Sequence, residues 1–330
     1  MTVDGEVHPN ITFKDFPTDE YWEGTKADGT ASIGQIQGTI SGALTRRFID
    51  SSVGLSTECS KVSVGYLDGG TKNAVAQVDG QGFNPFILMV SLGTPGLNDN
   101  TVSDYQGLNL LYQEALRRGI KPFVARPLAL TTFNGVPAFS VELLGEHVAV
   151  NTRVASFFID APIQVFLDRP EVFLSTDLPK GADFNSLQLN AKAALLRRLL
   201  ITEDIKKGSL DEIFGKSEWL RPTNEMLTAI VSRLYLIHRL TNGCLPAEFS
   251  IIAGDFMVNP DVPGYDPMLT TIRGGLRNIG RLSFEQYMYA LESLLYLTQT
   301  ELQVQHVFTP GIVREGVAIG RGILRQAQHP

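Results

Sequence analysis

Lys61 to Gly93, KVSVGYLDGGTKNAVAQVDGQGFNPFILMVSLG, decides the fold of the first half of this chain. Small and apolar residues alternate on both sides of Asp68-Gly69-Gly70, and turn formers between two alternating runs signal a β-hairpin. The run PFILMVSLG is continuously apolar, as a buried strand is. Downstream, Leu108, Leu111, Tyr112, Ala115 and Leu116 mark one face of a helix within Asp104 to Arg118, which Gly119 and Pro122 end. Phe123 to Val150 reads as another pair of strands around Phe133-Asn134-Gly135. Upstream, Ile36, Ile40, Ala43, Leu44 and Phe48 fit a short amphipathic helix within Ile33 to Asp50.

The second half has helical periodicity in SLQLNAKAALLRRLL (Ser186 to Leu200), NEMLTAIVSRLYLIHRL (Asn224 to Leu240) and SFEQYMYALESLLYLTQTEL (Ser283 to Leu302). Ser283 and Gln286 have the spacing of a capping box at the start of the last. The expected class is therefore α+β, with a β-rich N-terminal half containing one helix and a mainly helical C-terminal half. The expected division is an acidic arm at 1–32, a β-rich domain or lobe at 33–159, a Pro- and Asp-rich linker at 160–184, and a helical domain or lobe at 185–330.

Charged residues make up 19% of the chain, the formal net charge is -7 and the pI is near 5.3. An acidic balance argues against a broad phosphate-binding face and hence against nucleic acid as a general partner. Cys59 and Cys244 lie outside any paired spacing, so neither a zinc site nor a disulfide framework is expected. No apolar run approaches the roughly 20 residues that span a bilayer, and Met1 to Asp28 is acidic where a signal peptide would be basic and then apolar. The expected location is cytoplasmic or particle-associated. His8, His147, His238, His306 and His329 are scattered, without the spacing of a metal helix or a catalytic dyad, and no nucleophile elbow or P-loop occurs.

The segment FSIIAGDFMVNPD, Phe249 to Asp261, brings Asp255 and Asn259 to the end of an apolar run. With Asp266 they form an oxygen-rich set suited to a hard cation such as Mg²⁺, Asp255 and Asp266 being the candidate metal ligands. The same residues also read as a buried strand that ends in turns, since Asp, Asn and Pro in NPDVPGYDP are turn formers.

Strands, one helix, two strands and then a helical lobe is also the order in which a protein-kinase-like fold is built. YQEALRRGIKPFVARPLAL resembles the N-lobe helix of that family followed by a strand, with Glu114 as its ion-pairing glutamate. LYLIHRLTNG resembles the end of the long C-lobe helix, and AGDF at Ala253 to Phe256 resembles the metal-binding Asp before Phe. The resemblance covers roughly residues 60 to 300. A kinase needs a lysine on its third strand to hold nucleotide phosphates, and PFILMVSLG has none. Its catalytic loop needs an Asp, where HRL at His238 to Leu240 has Leu. Glycines 65, 69 and 70 lack the G-x-G-x-x-G spacing. The resemblance therefore implies a degenerate, inactive relative that binds ATP and Mg²⁺ through Glu114, Asp255 and Asn259.

Charge is distributed unevenly between the two ends. Acids crowd residues 1 to 30, whereas Arg273 to Pro330 holds six Arg against four Glu and no lysine. Arg273, Arg277 and Arg281 would line one face of a helix, although Gly274, Gly275 and Gly280 weaken that helix. From composition and charge, the first functional expectation is a non-enzymatic structural protein with no cofactor. It would self-associate, as a virion or other particle subunit does, through Asp15, Asp19, Glu20 and Glu23 at one end and Arg273, Arg277, Arg281, Arg321 and Arg325 at the other. The alternative is the kinase-like pseudoenzyme or atypical nucleotide binder centred on Asp255. An RNA-associated subunit using the arginine segment is the third reading.

Overall fold

The computed structural model of the protein describes residues 2–3, 6–7, 9–17, 31–54, 60–69, 73–91, 98–149, 223–248, 255–280, 283–288 and 308–328. The chain divides into two compact units, Met1–Tyr112 with Ala125–Gly145, and Gln113–Val124 with Glu146–Pro330. The linker expected at 160–184 and the helix expected at Ser186 to Leu200 lie outside the described residues, as do Cys59, Asp19, Glu20, Glu23 and Arg281. The class is α+β, with the β-rich part first.

In the first unit, Thr2–Val3 (β1) pairs with Glu6–Val7 (β2) in a small ribbon. The main sheet is formed by β3 (Asn10–Lys14), β4 (Lys61–Gly69), β5 (Asn73–Gly80), β6 (Phe86–Ser91), β7 (Pro127–Phe133) and β8 (Val136–Glu142), in the order β3-β4-β5-β6-β8-β7. All pairings are antiparallel except β3 with β4, in which Ile11 sits opposite Val62. Asn10 to Lys14, within the expected acidic arm, is an edge strand, and the Phe13, Phe16 and Tyr66 rings pack at centroid separations of 5.1 Å beside it.

All six residues of β6 are buried. Alternate side chains of a strand face opposite sides, so each face of the sheet needs its own cover. On one face, Val64, Val78, Phe86, Leu88 and Ala138 pack with Ile36, Ile40 and Leu44 around α1 (Ile33–Ala43) and with Phe48 and Ile49 of α2 (Arg46–Val53). On the other, Met89 lies opposite Phe139, whose ring meets Tyr105 of α3 (Asn98–Arg117) at 6.0 Å. Thr101 Oγ1 of the same helix donates to Asn73 Oδ1 at 3.0 Å.

The single helix expected over Ile33 to Asp50 is two helices. Thr45 caps the second by accepting from Phe48 N at 3.2 Å, which stops α1 at Leu44 and lets the chain turn; a threonine at the N-cap satisfies an otherwise orphaned donor. The hairpin expected at Asn134-Gly135 is present, with φ of 49° and 78° at the two positions, the left-handed pair that a tight two-residue loop requires. Beneath it, Ser52 and Ser140 share a buried hydrogen bond of 2.7 Å, and Ser140 Oγ also accepts from Ala129 N.

In the second unit, α4 (Asn224–Leu240) runs beside α5 (Pro310–Gln328). The two are parallel, since Gly316 abuts Thr228 and Val231 while Gly320, one turn on, abuts Ser232 and Tyr235. A Cβ on Gly316 would stand 2.6 Å from Val231 Cγ1 and 2.8 Å from the Thr228 carbonyl oxygen. Ser283 and Gln286 cap each other's backbone N–H as the sequence predicts, at 3.1 and 2.8 Å. Two small sheets complete the unit: β9 (Val148–Ala149), β11 (Phe256–Val258) and β12 (Met268–Leu269) in the order β12-β11-β9, and β10 (Cys244–Glu248) paired with β13 (Arg273–Asn278). Arg273 and Arg277 therefore belong to a strand and not to a helix. Positive φ at Gly274 and Gly275, 71° and 77°, is incompatible with a right-handed helix there.

Two glycine substitutions test this packing. A Cβ on Gly42 would stand 2.2 Å from the Phe133 ring, and Gly42→Ala should lower stability by about 1–3 kcal/mol, as overpacking does. Gly316→Ala should cost at least as much, because backbone as well as a side chain must give way. Denaturant unfolding with unchanged slope checks both; Gly322→Ala, with open space at its Cβ, should be neutral or slightly stabilising.

Candidate functional site

Asp255 immediately precedes β11 and is fully buried, as is Phe256 beside it. The Asp255 carbonyl accepts from Thr270 N at 2.7 Å and from Thr270 Oγ1 at 3.2 Å, which fixes the backbone at this point. Phe249 to Gly254, the apolar run of the expected strand, lies outside the described residues; the described part, from Asp255 on, is a three-residue strand followed by turns.

Asn259 follows the other end of β11. Its Oδ1 accepts from Asp261 N at 3.0 Å, its Nδ2 donates to Glu146 Oε2 at 3.3 Å, and its N–H donates to the Tyr265 carbonyl at 2.8 Å. An Asx turn of this kind shapes the loop, so the amide is already committed within the protein.

Asp266 is the centre of a charge cluster. Arg233 Nη2 donates to its Oδ1 at 3.0 Å and Lys121 Nζ donates to its Oδ2 at 2.6 Å. The Lys121 side chain is 74% exposed and that of Arg233 only 13%. Arg233 sits in the otherwise apolar run of α4, and its guanidinium lies 5.8 Å from the Phe123 ring centroid. Burial pushes its pKa below the ordinary arginine value, and Asp266 opposes that shift. Tyr265 and Asp266 adopt φ of 59° and 38°, a left-handed pair of non-glycine residues, and such strain persists only where surrounding contacts hold it. Here Gly264 N donates to Glu225 Oε1 at 3.3 Å, and Thr223 Oγ1 donates to Tyr265 Oη at 3.4 Å. Lys121, Glu225, Ser232, Arg233 and Asp266 line a cleft of about 770 Å³ with Glu315 and Ile319 of α5.

Glu114, expected as an ion-pairing glutamate, pairs within its own helix and turn, with Arg117 Nη2 at 2.6 Å and Arg118 Nε at 3.6 Å. The hydrogen bond from Arg117 holds its carboxyl below the usual glutamate value. The structure thus brings Lys121 to Asp266 and leaves Asp255 and Asn259 at opposite ends of β11. Among the described residues no group of three His, Cys, Asp or Glu could hold a metal ion. The donor set does not make a complete Mg²⁺ cage, because Asn259 and Asp266 are spent on other partners. Sequence reasoning did not single out Arg233, although a lone cation within IVSRLYLIH was a usable signal: such a charge needs a buried partner.

Of the residues expected at an interface, Asp15 ends β3 with φ of 58°, and Arg277 and Arg325 are exposed. Arg321 is engaged inside the chain: Nε donates to Tyr235 Oη and Nη2 to Glu285, both at 3.3 Å. Cys244 is a free thiol whose pKa burial pushes up. Among the described residues, no helix is long and apolar enough to cross a membrane.

No protein-family model matches the chain, and no curated protein matches it. Among solved structures, it is similar to a double mutant of the PknI kinase domain from Mycobacterium tuberculosis, with 13% identity and a TM-score of 0.32 over 82% of this chain and 88% of that one. The likeness to the kinase-like fold is weak. The expectation of a self-assembling virion or particle subunit is corrected: residues Asn10 to Lys14 of the acidic end supply an edge strand of the chain's own sheet, and Arg321 is committed internally.

The charge cluster predicts an order of sensitivities. Lys121→Gln removes an exposed pair and should change stability by less than about 1 kcal/mol. Asp266→Ala strands the largely buried Arg233 and should cost about 3 kcal/mol, measured by denaturant unfolding. His238 provides a pH test. Burial, then the neighbouring Arg239, lowers its pKa from the ordinary histidine value of 6.5, while Glu285 opposes them. Its folded pKa lies below its unfolded one, so the unfolded chain binds the extra proton first as pH falls. Stability should therefore drop below about pH 6.5, and His238→Gln should flatten that part of a Tm-against-pH curve.

Proposed function

We propose that this chain is a kinase-like pseudoenzyme, an atypical nucleotide-binding protein that uses Asp255. The observation that carries the reading is the fully buried carboxylate of Asp255, fixed at the entry to β11 directly before the buried Phe256. Water is the natural environment of a carboxylate, and a fold that places one in its interior bears a desolvation cost; groups of that kind concentrate at functional sites. The order of elements supports the same reading, with β4, β5, β6, α3, β7 and β8 following one another as three strands, a helix and two strands.

The residues that would transfer a phosphoryl group are missing. β6 reads FILMVS and offers no lysine to nucleotide phosphates, and Leu240 stands where the resemblance calls for an aspartate. Glu114 is held by Arg117 and Arg118, and Asn259 by Glu146 and Asp261. The reading is therefore binding without turnover, with ATP as the ligand and Asp255 as the carboxylate assigned to an accompanying Mg²⁺.

Thermal unfolding with millimolar ATP, with and without Mg²⁺, tests this. A ligand at ten times its dissociation constant stabilises the native state by about 1.4 kcal/mol, a rise of a few degrees in Tm. Asp255→Asn should abolish the Mg²⁺-dependent part of the rise. An unchanged Tm at every nucleotide concentration, or an equal rise in the variant, rules the reading out.

A further inference from the structure

A second cleft in the same unit, of about 650 Å³, lies between the end of α3 and the last turns of α5. Its lining carries Arg117, Arg118 and Lys121 on one side and Gln326 and Gln328 on the other, over an apolar floor that includes Ile120 and Ile323. Among the described residues, no acidic residue lines it. We propose that this cleft binds an organic phosphate, with the phosphate on Arg117, Arg118 and Lys121 and the apolar part of the ligand on Ile120, Ile323 and Leu324. The site does not involve Asp255.

Charge bookkeeping is the first argument. Among the described residues, the three lining cations pair with two carboxylates, Glu114 and Asp266, the second of which Arg233 also engages. A surplus of one positive charge stands here, with Asp266 counted wholly against Lys121, on a chain whose net charge is -7. The nearby C-terminus of α5 contributes about half a negative charge, which the surplus exceeds. That of α3 is moreover closed, because Gly119 N donates to the Leu116 carbonyl and Ile120 N to the Ala115 carbonyl.

Donor geometry is the second. Glu114 accepts from Arg117 Nε and Nη2, and Arg118 reaches the same carboxylate only at 3.6 Å. A guanidinium has five N–H donors and an ammonium three, so the three side chains keep unused donors beside the cleft. They are 65%, 35% and 74% exposed, respectively, and remain accessible to a ligand. Phosphate is the anion whose several oxygens match such a set of forked and point donors. The apolar floor and the two amides, absent from a bare surface patch, select an ester with a carbon body over the inorganic ion.

Isothermal titration of the full chain, free of divalent metal, with inorganic phosphate and with phenyl phosphate tests the assignment. Both should bind saturably, phenyl phosphate several-fold more tightly, and both should weaken with added salt. Gln326→Glu places a carboxylate in the cleft without breaking any ion pair. It should weaken both ligands about tenfold, the size of one charge-assisted contact, with Tm unchanged. Arg118→Gln, which disturbs only the longer of the two Glu114 pairs, should act in the same direction. Absence of saturable binding at millimolar phenyl phosphate, or binding by Gln326→Glu equal to that of the unaltered chain, overturns the site. Equal affinity for the two ligands overturns the organic part of the assignment. Because no nucleotide or Mg²⁺ is present, the result is read separately from that at Asp255.

Discussion

Burial of β6 on both faces is the constraint from which the first unit follows. A strand reading FILMVS has no side that water can solvate, and at roughly 25 cal/mol per Å² of apolar area leaving either face open would forfeit several large side chains. The chain meets this by flanking β6 with β5 and β8 and by placing α1 and α2 over one face and α3 against the other. In that interior the hydroxyls of Ser52 and Ser140 and the Ala129 N–H satisfy one another. The same constraint bears on function. A lysine on this strand would have to leave its ammonium in the core or break the apolar pattern, so the strand that makes the sheet is also the strand that cannot present a phosphate-binding cation.

In the second unit the corresponding constraint is the close approach of α4 and α5. Glycines at 316 and 320 let the helices meet at backbone distance, and this leaves the polar side chains of α4, Arg233 among them, to be satisfied from the side by the loop at Val262 to Pro267. Asp266 is drawn into a left-handed conformation to do so. The interaction energies decide which partner matters: the exposed Lys121 adds little, whereas the largely buried Arg233 needs its counter-ion. Stability and polarity of the cleft therefore hang on one carboxylate, which explains why that carboxylate is a poor candidate for a metal.

Local patterns were legible. Asn224 to Leu240 is a helix over the bounds that its periodicity indicates, the Asn134-Gly135 turn has the backbone signs that it needs, and Ser283 with Gln286 caps as spaced. Long-range pairing was not legible. Nothing in the neighbourhood of Lys121 points to a partner 145 residues away, and nothing in NITFK announces a parallel edge strand, because β-pairing is decided by which edge remains open. The break at Leu44-Thr45 sits between, since Thr45 is an N-cap residue within an apolar periodicity that runs straight through it.

The arginines show why composition misled where geometry did not. The six arginines from Arg273 onward suggested a surface meant for another copy of the chain, but a guanidinium satisfies itself wherever carboxylates, hydroxyls and rings converge. Arg321 finds Tyr235 and Glu285, and Arg233 finds Asp266 beside Phe123. What distinguishes Arg117 and Arg118 is that they share one glutamate, so that pairing leaves charge over. Surplus after pairing, and not the count of basic residues along the sequence, is the quantity that marks a surface able to hold an anion.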